Sequence, residues 1–565
     1  MGGRWREIVL SVVELATIAG FTLVFASSYL DLDPNVQPTG LEYPTAIQPY
    51  YFWTRLRQCG ACALWNGSVR GRVPALVDPH PALLHPLPAV TALLAGVPNG
   101  MKLSLVGALA MAGLAQWWLG HVLGLGRIAR TWAALIAVAG GNLAARMDGG
   151  WINLVISGGA CALVFPPLVG LVQSGSARYA LVFGVTLAAA LVSGQGYLQA
   201  GLLTLLPLVV LAAALGKGWR LVRRLGLGLA CAVLLAGPFV VPVLHHLPLL
   251  GKDSDATFAF AQPLRYAVLN LVVDNIDFYR SEMLMKSSFA GVTVNFVGWV
   301  PVILAIVALV ALGGSERRPG DRGRAAFLAA SVFLVLWVST AVPLRWAITL
   351  NPVGWLDQTV AGLRNASLIA GLAVTPLLAL AGMGVDRLLT ARWPETTLAV
   401  AGDPARPRIW RTDLRWLVAV PLVIGLVQVV RFNGQWIAAS TIPQIVFDEL
   451  ALLRTPDLQW VRTPFGEGVY MEPAVRMGLK VVDDNRPWYL RGNEVPAPFL
   501  IASRVAESDP DVVLEAELGG IRYYRAPPDR AYAVVRSGAT VTPCVATGIG
   551  GDIDVVCTTS APGTL

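Results

Sequence analysis

The sequence predicts a mainly α-helical, polytopic transmembrane bundle with a small α/β domain at its C-terminal end. Three observations predict it. Of 565 residues, 55% are hydrophobic and only 14% are charged, against about 25% charged in an ordinary soluble domain. The mean hydropathy is +0.60. The apolar residues fall in runs long enough for a bilayer, which needs about 20 residues per span. This composition excludes a disordered chain, a typical cytosolic enzyme and a basic nucleic-acid-binding protein. The formal charge of +8 comes from 43 Lys and Arg against 35 Asp and Glu. In a membrane protein such an excess is read by position, because it sets orientation.

About eleven candidate spans follow from the apolar runs. They lie near 8–30, 101–124, 129–145, 151–172, 178–194, 197–216, 224–243, 291–313, 324–343, 365–386 and 413–432. The first is too long for a signal peptide, and no small-x-small cleavage site follows Tyr29. Alternate loops are basic: Arg4 and Arg6, Arg127 and Arg130, Arg178, Lys217 to Arg224, Arg317 to Arg324, and Arg387 to Arg415. The short loops between them carry almost none. The expected orientation is N-terminus cytoplasmic and C-terminus outside, in the cell (inner) membrane. Residues 1–432 form the membrane domain, with long outer loops at 31–100 and 244–290, and residues 433–565 an extracytoplasmic domain. In that tail, β-branched and aromatic runs at 481–484, 521–524 and 532–536 are separated by Pro, Gly and Asp, which predicts strands. Cys544 and Cys557 flank a Gly-rich turn; either a disulfide across a hairpin or two free thiols fits. Cys59-Gly60-Ala61-Cys62 fits a local disulfide or two interfacial thiols, because one such pair does not make a zinc site.

The outer loops hold the candidate chemistry. Asp31 and Asp33 follow the first span directly, and Pro34 turns the chain out of helix. A carboxylate there can serve as a general base or ligate a hard cation such as Mg²⁺ or Mn²⁺; a polar loop ending a helix is the plainer reading. The aromatic run Tyr50-Tyr51-Phe52-Trp53 suits an interfacial helix. After Trp65 and Asn66 come Asp78, His80 and His85 among prolines; they either shape a lipid-facing loop and offer hydrogen bonds to a polar substrate or form a metal site, since His and Asp ligands can occur at such spacing. Asp148 lies in a short loop beside Arg146. Either Arg146 neutralises it, or it lies opposite Asp31 or Asp33 as a second acid of one outer cavity. Gln195 sits in the small-residue turn 193–197, where a substrate can approach backbone. Arg364 opens the tenth span on the outer side, against the charge bias; it suits a lipid-linked phosphate, or it snorkels to the interface.

An acidic motif after the first span, a long first outer loop, a second acid between spans three and four and a C-terminal outer domain together resemble the GT-C superfamily of integral-membrane glycosyltransferases. Within it, Gly60, Leu64-Trp65-Asn66, Gly71, Asp78 and His85-Pro86-Leu87 are similar to the YfhO-like bacterial membrane proteins. Gly362 to Ser367 resembles their Phe-Arg-x-Pro-x-Arg segment but lacks its proline and second arginine. The resemblance implies a sugar donor on a polyprenyl phosphate or pyrophosphate and a glycan, lipid or protein acceptor of the cell envelope. It implies inversion at the anomeric carbon, Asp31 or Asp33 as base, Asp148 orienting the acceptor or holding a divalent cation with Asp33, and Arg364 on the leaving phosphate. A transporter or flippase of a lipid-linked glycan is the competing class. Such proteins place ionisable groups at the midplane and often show inverted repeats, and neither is evident in these spans. A non-catalytic scaffold would tolerate loss of either carboxylate.

Overall fold

The fold is described from a computed structural model. It describes residues 2–64, 75–78, 80–216, 218–246, 250–251, 261–281, 290–314, 320–350, 363, 365–391, 396–399, 409–412, 417–452, 460–463, 468–483, 489–490, 499–502, 513–518, 521–525, 533–549 and 552–565. Trp65, Asn66, Pro79, Lys252, Asp253, Asp255, Glu282 and Arg364 lie outside the described residues, as do the side chains of Cys59 and Cys62.

The chain is an integral membrane protein, and each predicted span contains helix among the described residues. Among the described residues six helices are long and apolar enough to cross a membrane, or seven if one bent pair counts as a single span. Helix α1 is Gly2–Phe25 and α2 is Tyr51–Cys59; α3 is Pro86–Val122, α4 Arg127–Val138 and α5 Ile152–Ala162. Then follow α6 (Phe165–Ser174), α7 (Ala177–Leu191), α8 (Tyr197–Thr204), α9 (Leu206–Gly216) and α10 (Trp219–His246). Helix α11 is Trp299–Gly314, α12 Asp321–Val338, α13 Val342–Thr349, α14 Val374–Thr390 and α15 Ala419–Asn433. The predicted span at 324–343 is the bent pair: α12 and α13 meet at 71°, around Ala341 at φ +61° and the proline at 343. Within the segments predicted at 178–194, 197–216, 291–313 and 413–432, the described residues form apolar helices shorter than a full span.

Several boundaries move, and the helix of the eighth span begins at Trp299 rather than 291, because Ala290–Val292 forms a 3-10 turn and the chain is non-helical to Gly298. The first helix ends at Phe25, not Leu30, because Ser27–Tyr29 tightens into a 3-10 turn that buries the Tyr29 ring. The second begins at Pro86 rather than 101. Its 37 residues span about 55 Å at 1.5 Å per residue, almost twice a bilayer core. It is kinked at Gly96, whose φ is +73°, so the stretch before the kink belongs to the loop region.

The two ends of the bundle differ in chemistry. At one, the basic face, Arg127 pairs with Glu7 and, at 3.2 Å, with Glu14. Arg387 pairs with Asp321 at 3.0 Å, and Asp386 accepts the N–H of Gly126 at 3.0 Å. These contacts gather the starts of α1, α4 and α12 with the end of α14. At the other, the loop face, strand β1 (Val36–Pro38) pairs antiparallel with β2 (Ala439–Thr441), and Ser28 Oγ donates to the Ile437 carbonyl at 3.0 Å. The chain leaving α1 is thus zipped to the chain leaving α15, so the first loop and the tail share one face, opposite the start of α1. The core between is small-residue helix packing, as membranes favour. A Cβ on Gly384 of α14 would strike the carbonyl oxygen of Leu304 in α11, so the two backbones touch there.

The tail builds a five-stranded mixed sheet from β3 (Trp460–Thr463), β4 (Lys480–Asp483), β5 (Phe499–Ala502), β6 (Val513–Leu518) and β7 (Ile521–Arg525), in the order β6-β7-β5-β3-β4. The β3 pairings with β4 and β5 are parallel. Two hairpins follow, β8 (Val534–Ser537) with β9 (Thr540–Pro543) and β10 (Val545–Ile549) with β11 (Asp552–Val556). Cys544 and Cys557 are disulfide-bonded across the last hairpin, 13 residues apart. Closing a loop of that size stabilises by about 3 kcal/mol through the unfolded chain. Cys544→Ser with Cys557→Ser is therefore expected to speed proteolysis of the tail, and reductant to do the same to wild type but not to the variant.

The tail docks on the first loop through a buried acid. Glu472, in the helix Met471–Arg476, accepts from Tyr51 Oη at 2.6 Å and Gln37 Nε2 at 2.7 Å, with Arg476 at 3.5 Å. Burial pushes its carboxyl above the usual range, against the lowering effects of Arg476, Tyr51 and Gln37. The folded state therefore holds this proton more tightly than the unfolded one. Its contribution is complete below the ordinary glutamate pKa and is lost as pH rises through the raised folded value. Hydrogen exchange in Met471–Arg476, corrected for intrinsic rate, is expected to quicken across that window, and Glu472→Gln to flatten the profile. A flat wild-type profile would mean that the carboxylate stays ionised when folded.

Candidate active site on the loop face

Three polar clusters occupy the loop face. The first surrounds Asp31 and Asp33. Both are exposed. Asp31 Oδ1 accepts the N–H of Asp33 and Asp33 Oδ1 that of Asn35, each at 2.9 Å. Such local turns are what closely spaced aspartates before a proline favour. Each carboxylate thereby keeps its Oδ2 without a protein partner among the described residues. The loop is held from below by Lys102 of α3, fully buried, which donates to the carbonyls of Asp31, of Asp33 at 2.8 Å and of Val36 at 2.9 Å. Asn99, a turn earlier, donates to the Leu32 carbonyl at 2.6 Å. Sequence reasoning passed over Lys102. Its signal was a single cation inside an otherwise apolar helix, which is costly unless it has partners.

The second cluster surrounds Arg146 and Asp148. Arg146 is buried and donates to the Gly291 carbonyl and, at 2.6 Å, to Asn295 Oδ1. Asp148 Oδ2 accepts the N–H of the same Gly291 at 3.1 Å. The two side chains thus grip opposite ends of one peptide region in the loop before α11, and no direct ion pair joins them among the described residues. Asn433 closes the base, donating to the carbonyls of Ala139 at 2.7 Å and Phe296 at 3.1 Å. The segment Ala366–Ala373 lies against this cluster, since a Cβ on Gly371 would sit 3.2 Å from both Arg146 Nη2 and Asn295 Oδ1. At its head Asn365 Oδ1 and Ser367 Oγ are buried without partners among the described residues, a state that asks for a reason.

The third cluster joins two predicted residues 115 positions apart. The N–H of Ala82 donates to Tyr50 Oη at 3.1 Å, and Tyr50 Oη donates to Asn153 Oδ1 at 2.5 Å. Asn153 Nδ2 meets His80 Nδ1 at 3.4 Å. On the other side of the ring, His80 Nε2 meets Gln195 Nε2 at 3.0 Å, so amide nitrogens flank both ring nitrogens and the tautomer decides which contact is the hydrogen bond. Gln195 has φ +63° between two glycines of positive φ. Left-handed backbone at a non-glycine residue is strained, and such strain concentrates at functional sites.

The first and second clusters are bridged by backbone. Glu42 N–H donates to the Gly149 carbonyl at 2.9 Å, and Trp151 Nε1 to Glu42 Oε2 at 2.8 Å. A Cβ on Gly40 would collide with Gly150, so side chains are excluded at the crossing. His85 stands apart. It is buried, its Nδ1 caps α3 by accepting the N–H of Leu87 at 3.3 Å, and burial lowers its pKa to about 4. The aromatic run also faces inward: Tyr50 and Phe52 are buried, and Trp53 Nε1 donates to the Leu83 carbonyl at 3.1 Å. Among the described residues no group of three His, Cys, Asp or Glu could hold a metal ion.

No family model matches the sequence. No curated protein matches it. Among solved structures, the chain is similar to ArnT from Cupriavidus metallidurans bound to undecaprenyl phosphate, with TM-score 0.47 and 13% identity over 93% of this chain and 98% of that one. The same protein in its apo state gives TM-score 0.40 and 14% identity over 93% and 99%. The apo oligosaccharyltransferase of Archaeoglobus fulgidus gives 0.43 and 10% over 84% of this chain and 65% of that one. No residue role follows from these scores.

Proposed function

We propose that the protein is an inverting membrane glycosyltransferase that moves a sugar from a polyprenyl-phosphate-linked donor to an envelope glycan, lipid or protein. The loop face is then extracytoplasmic and the basic face cytoplasmic, in keeping with the positive-inside rule. The observation that carries the reading is the pair of exposed loop carboxylates fixed by Lys102, each with one oxygen anchored and the other open. A base for an acceptor hydroxyl needs that combination of fixed position and free lone pair. Asp31 or Asp33 takes the acceptor proton as the acceptor oxygen attacks the anomeric carbon and the lipid phosphate departs. Asp148 and the pair His80 and Gln195 orient the sugar and acceptor. Arg364 is the cation assigned to the departing phosphate. Trp65, Asn66 and the YfhO-like stretch would complete the acceptor side. Asp33 and Asp148 are where Mg²⁺ or Mn²⁺ would be sought, and no step requires it.

The test is transfer of labelled sugar by purified protein from a panel of polyprenyl-phosphate donors. One of Asp31→Asn and Asp33→Asn is expected to lose about 10²- to 10⁴-fold in rate, the usual contribution of a general base, with unchanged unfolding temperature. If no donor reacts and lipid-linked sugar binds equally to wild type and both variants, a transporter or scaffold replaces the enzyme reading.

A further inference from the structure

A groove of about 710 Å³ opens beside the loop-face end of α15, apart from the three clusters. Val423, Ile424 and Val427 line it, and each is more than half exposed. Asp274, Gln428 and Arg431 line its polar end. From Val423 to Arg431 the helix rises about 12 Å, so the groove runs from hydrocarbon depth to the headgroup level. Gln428 Nε2 donates to Asp274 Oδ2 at 2.9 Å, which fixes the overhanging loop on the helix. Arg431 has no partner among the described residues. It makes no ion pair with Asp274, although both line the same groove. Two opposite charges at a membrane surface, held in one concavity without closing on each other, leave room for a ligand of complementary charges.

We infer that this groove binds a phospholipid with a primary-amine headgroup. Its phosphate sits on Arg431, whose planar guanidinium takes phosphate oxygens in pairs. Its ammonium sits on the open Oδ1 of Asp274, and the upper part of one acyl chain lies along Val423, Ile424 and Val427. The pairing selects among lipids. A purely anionic headgroup leaves Asp274 facing like charge, and a trimethylated amine has no N–H to donate. Free phosphoethanolamine lacks the chain that the apolar floor would cover. This site is independent of the glycosyl-transfer reading.

The experiment uses the full chain in detergent, incubated with phosphatidylethanolamine, phosphatidylcholine or phosphatidylglycerol of identical chains. Native mass spectrometry reads retained lipid and thermal unfolding reads the fold. The difference between wild type and Arg431→Ala isolates this site. Wild type is expected to retain phosphatidylethanolamine about tenfold better there than either other lipid, as one charge-assisted hydrogen bond allows. Asp274→Asn keeps an oxygen for Gln428 and is expected to erase the preference over phosphatidylglycerol. Val427→Trp, which fills the floor, is expected to lower retention of all three at unchanged unfolding temperature. Equal retention of the three lipids by wild type would overturn the inference. So would phosphatidylethanolamine retention unaltered by both charge variants, or displacement of the lipid by equimolar soluble phosphoethanolamine.

Discussion

Lys102→Met is expected to abolish most sugar transfer while leaving the bundle folded. Methionine matches the length and apolar stem of lysine, so the packing inside α3 survives. The ammonium does not, and the carbonyls of Asp31, Asp33 and Val36 lose their common donor. Each carbonyl lies in a loop that water reaches, so the expected stability loss is modest, about 2 kcal/mol against the 1–3 kcal/mol that a single fully buried orphan costs. The kinetic loss is expected to be larger. A misplacement of about 1 Å at a reacting group costs roughly 10²-fold, and the two carboxylates ride on the loop that Lys102 holds. Hydrogen exchange at 30–37 should rise sharply, kcat should fall by about that factor, and KM should change little. Asn99→Ala removes only the Leu32 anchor and should give a weaker version of the same pattern. Unchanged turnover in Lys102→Met, with exchange in the loop clearly raised, would show that loop order is not needed and would move the base away from Asp31 and Asp33.

Glu14→Ala is expected to be among the most destabilising single changes in the chain, and Glu14→Leu combined with Arg130→Met to be milder, although it still leaves Trp117 Nε1 without its acceptor and Arg127 with Glu7 alone. Glu14 lies inside α1, nearly buried. It receives Arg130 twice, at 2.7 and 2.8 Å, and Trp117 Nε1 at 2.6 Å. Arg130 also meets His121 Nδ1 at 3.2 Å and lies over the Trp117 ring. Removing one partner of a buried pair leaves an uncompensated charge and costs about 3–5 kcal/mol, whereas replacing both by apolar groups of similar volume is often neutral. Thermal unfolding in one detergent measures both. If the double variant loses as much as Glu14→Ala, the network has a role beyond closing α1 onto α3 and α4.

The sequence made the membrane architecture legible because a bilayer is a uniform solvent. Whether a segment suits it depends on the segment's own residues, so the helices appear where the apolar runs are. The basic loops were legible for the same reason: Arg127, Arg130, Arg324 and Arg387 do collect on one end. The exposed Asp31 and Asp33 were legible because proline and the end of α1 are adjacent to them. The disulfide was open in the sequence, since spacing admits it without requiring it; the hairpin register from Val545↔Val556 to Ile549↔Asp552 brings the two cysteines side by side.

Tertiary structure alone decided the rest. Lys102 is recognised by backbone carbonyls, which every residue carries, so no pattern of side chains announces its partners. Arg146 looked like the counter-ion of its neighbour Asp148; packing of Gly291 and Asn295 against both redirected it. His80 and Gln195 meet only because α5 and α8 converge under the first loop. The start of α3 at Pro86 rather than at the bilayer edge reflects helix continued by protein contacts, which hydropathy does not report. Composition settles which solvent each segment prefers, a local property. Distances between functional groups depend on how helices cross and where backbones touch, as Gly384 does on Leu304, and those follow from shape complementarity across the whole bundle.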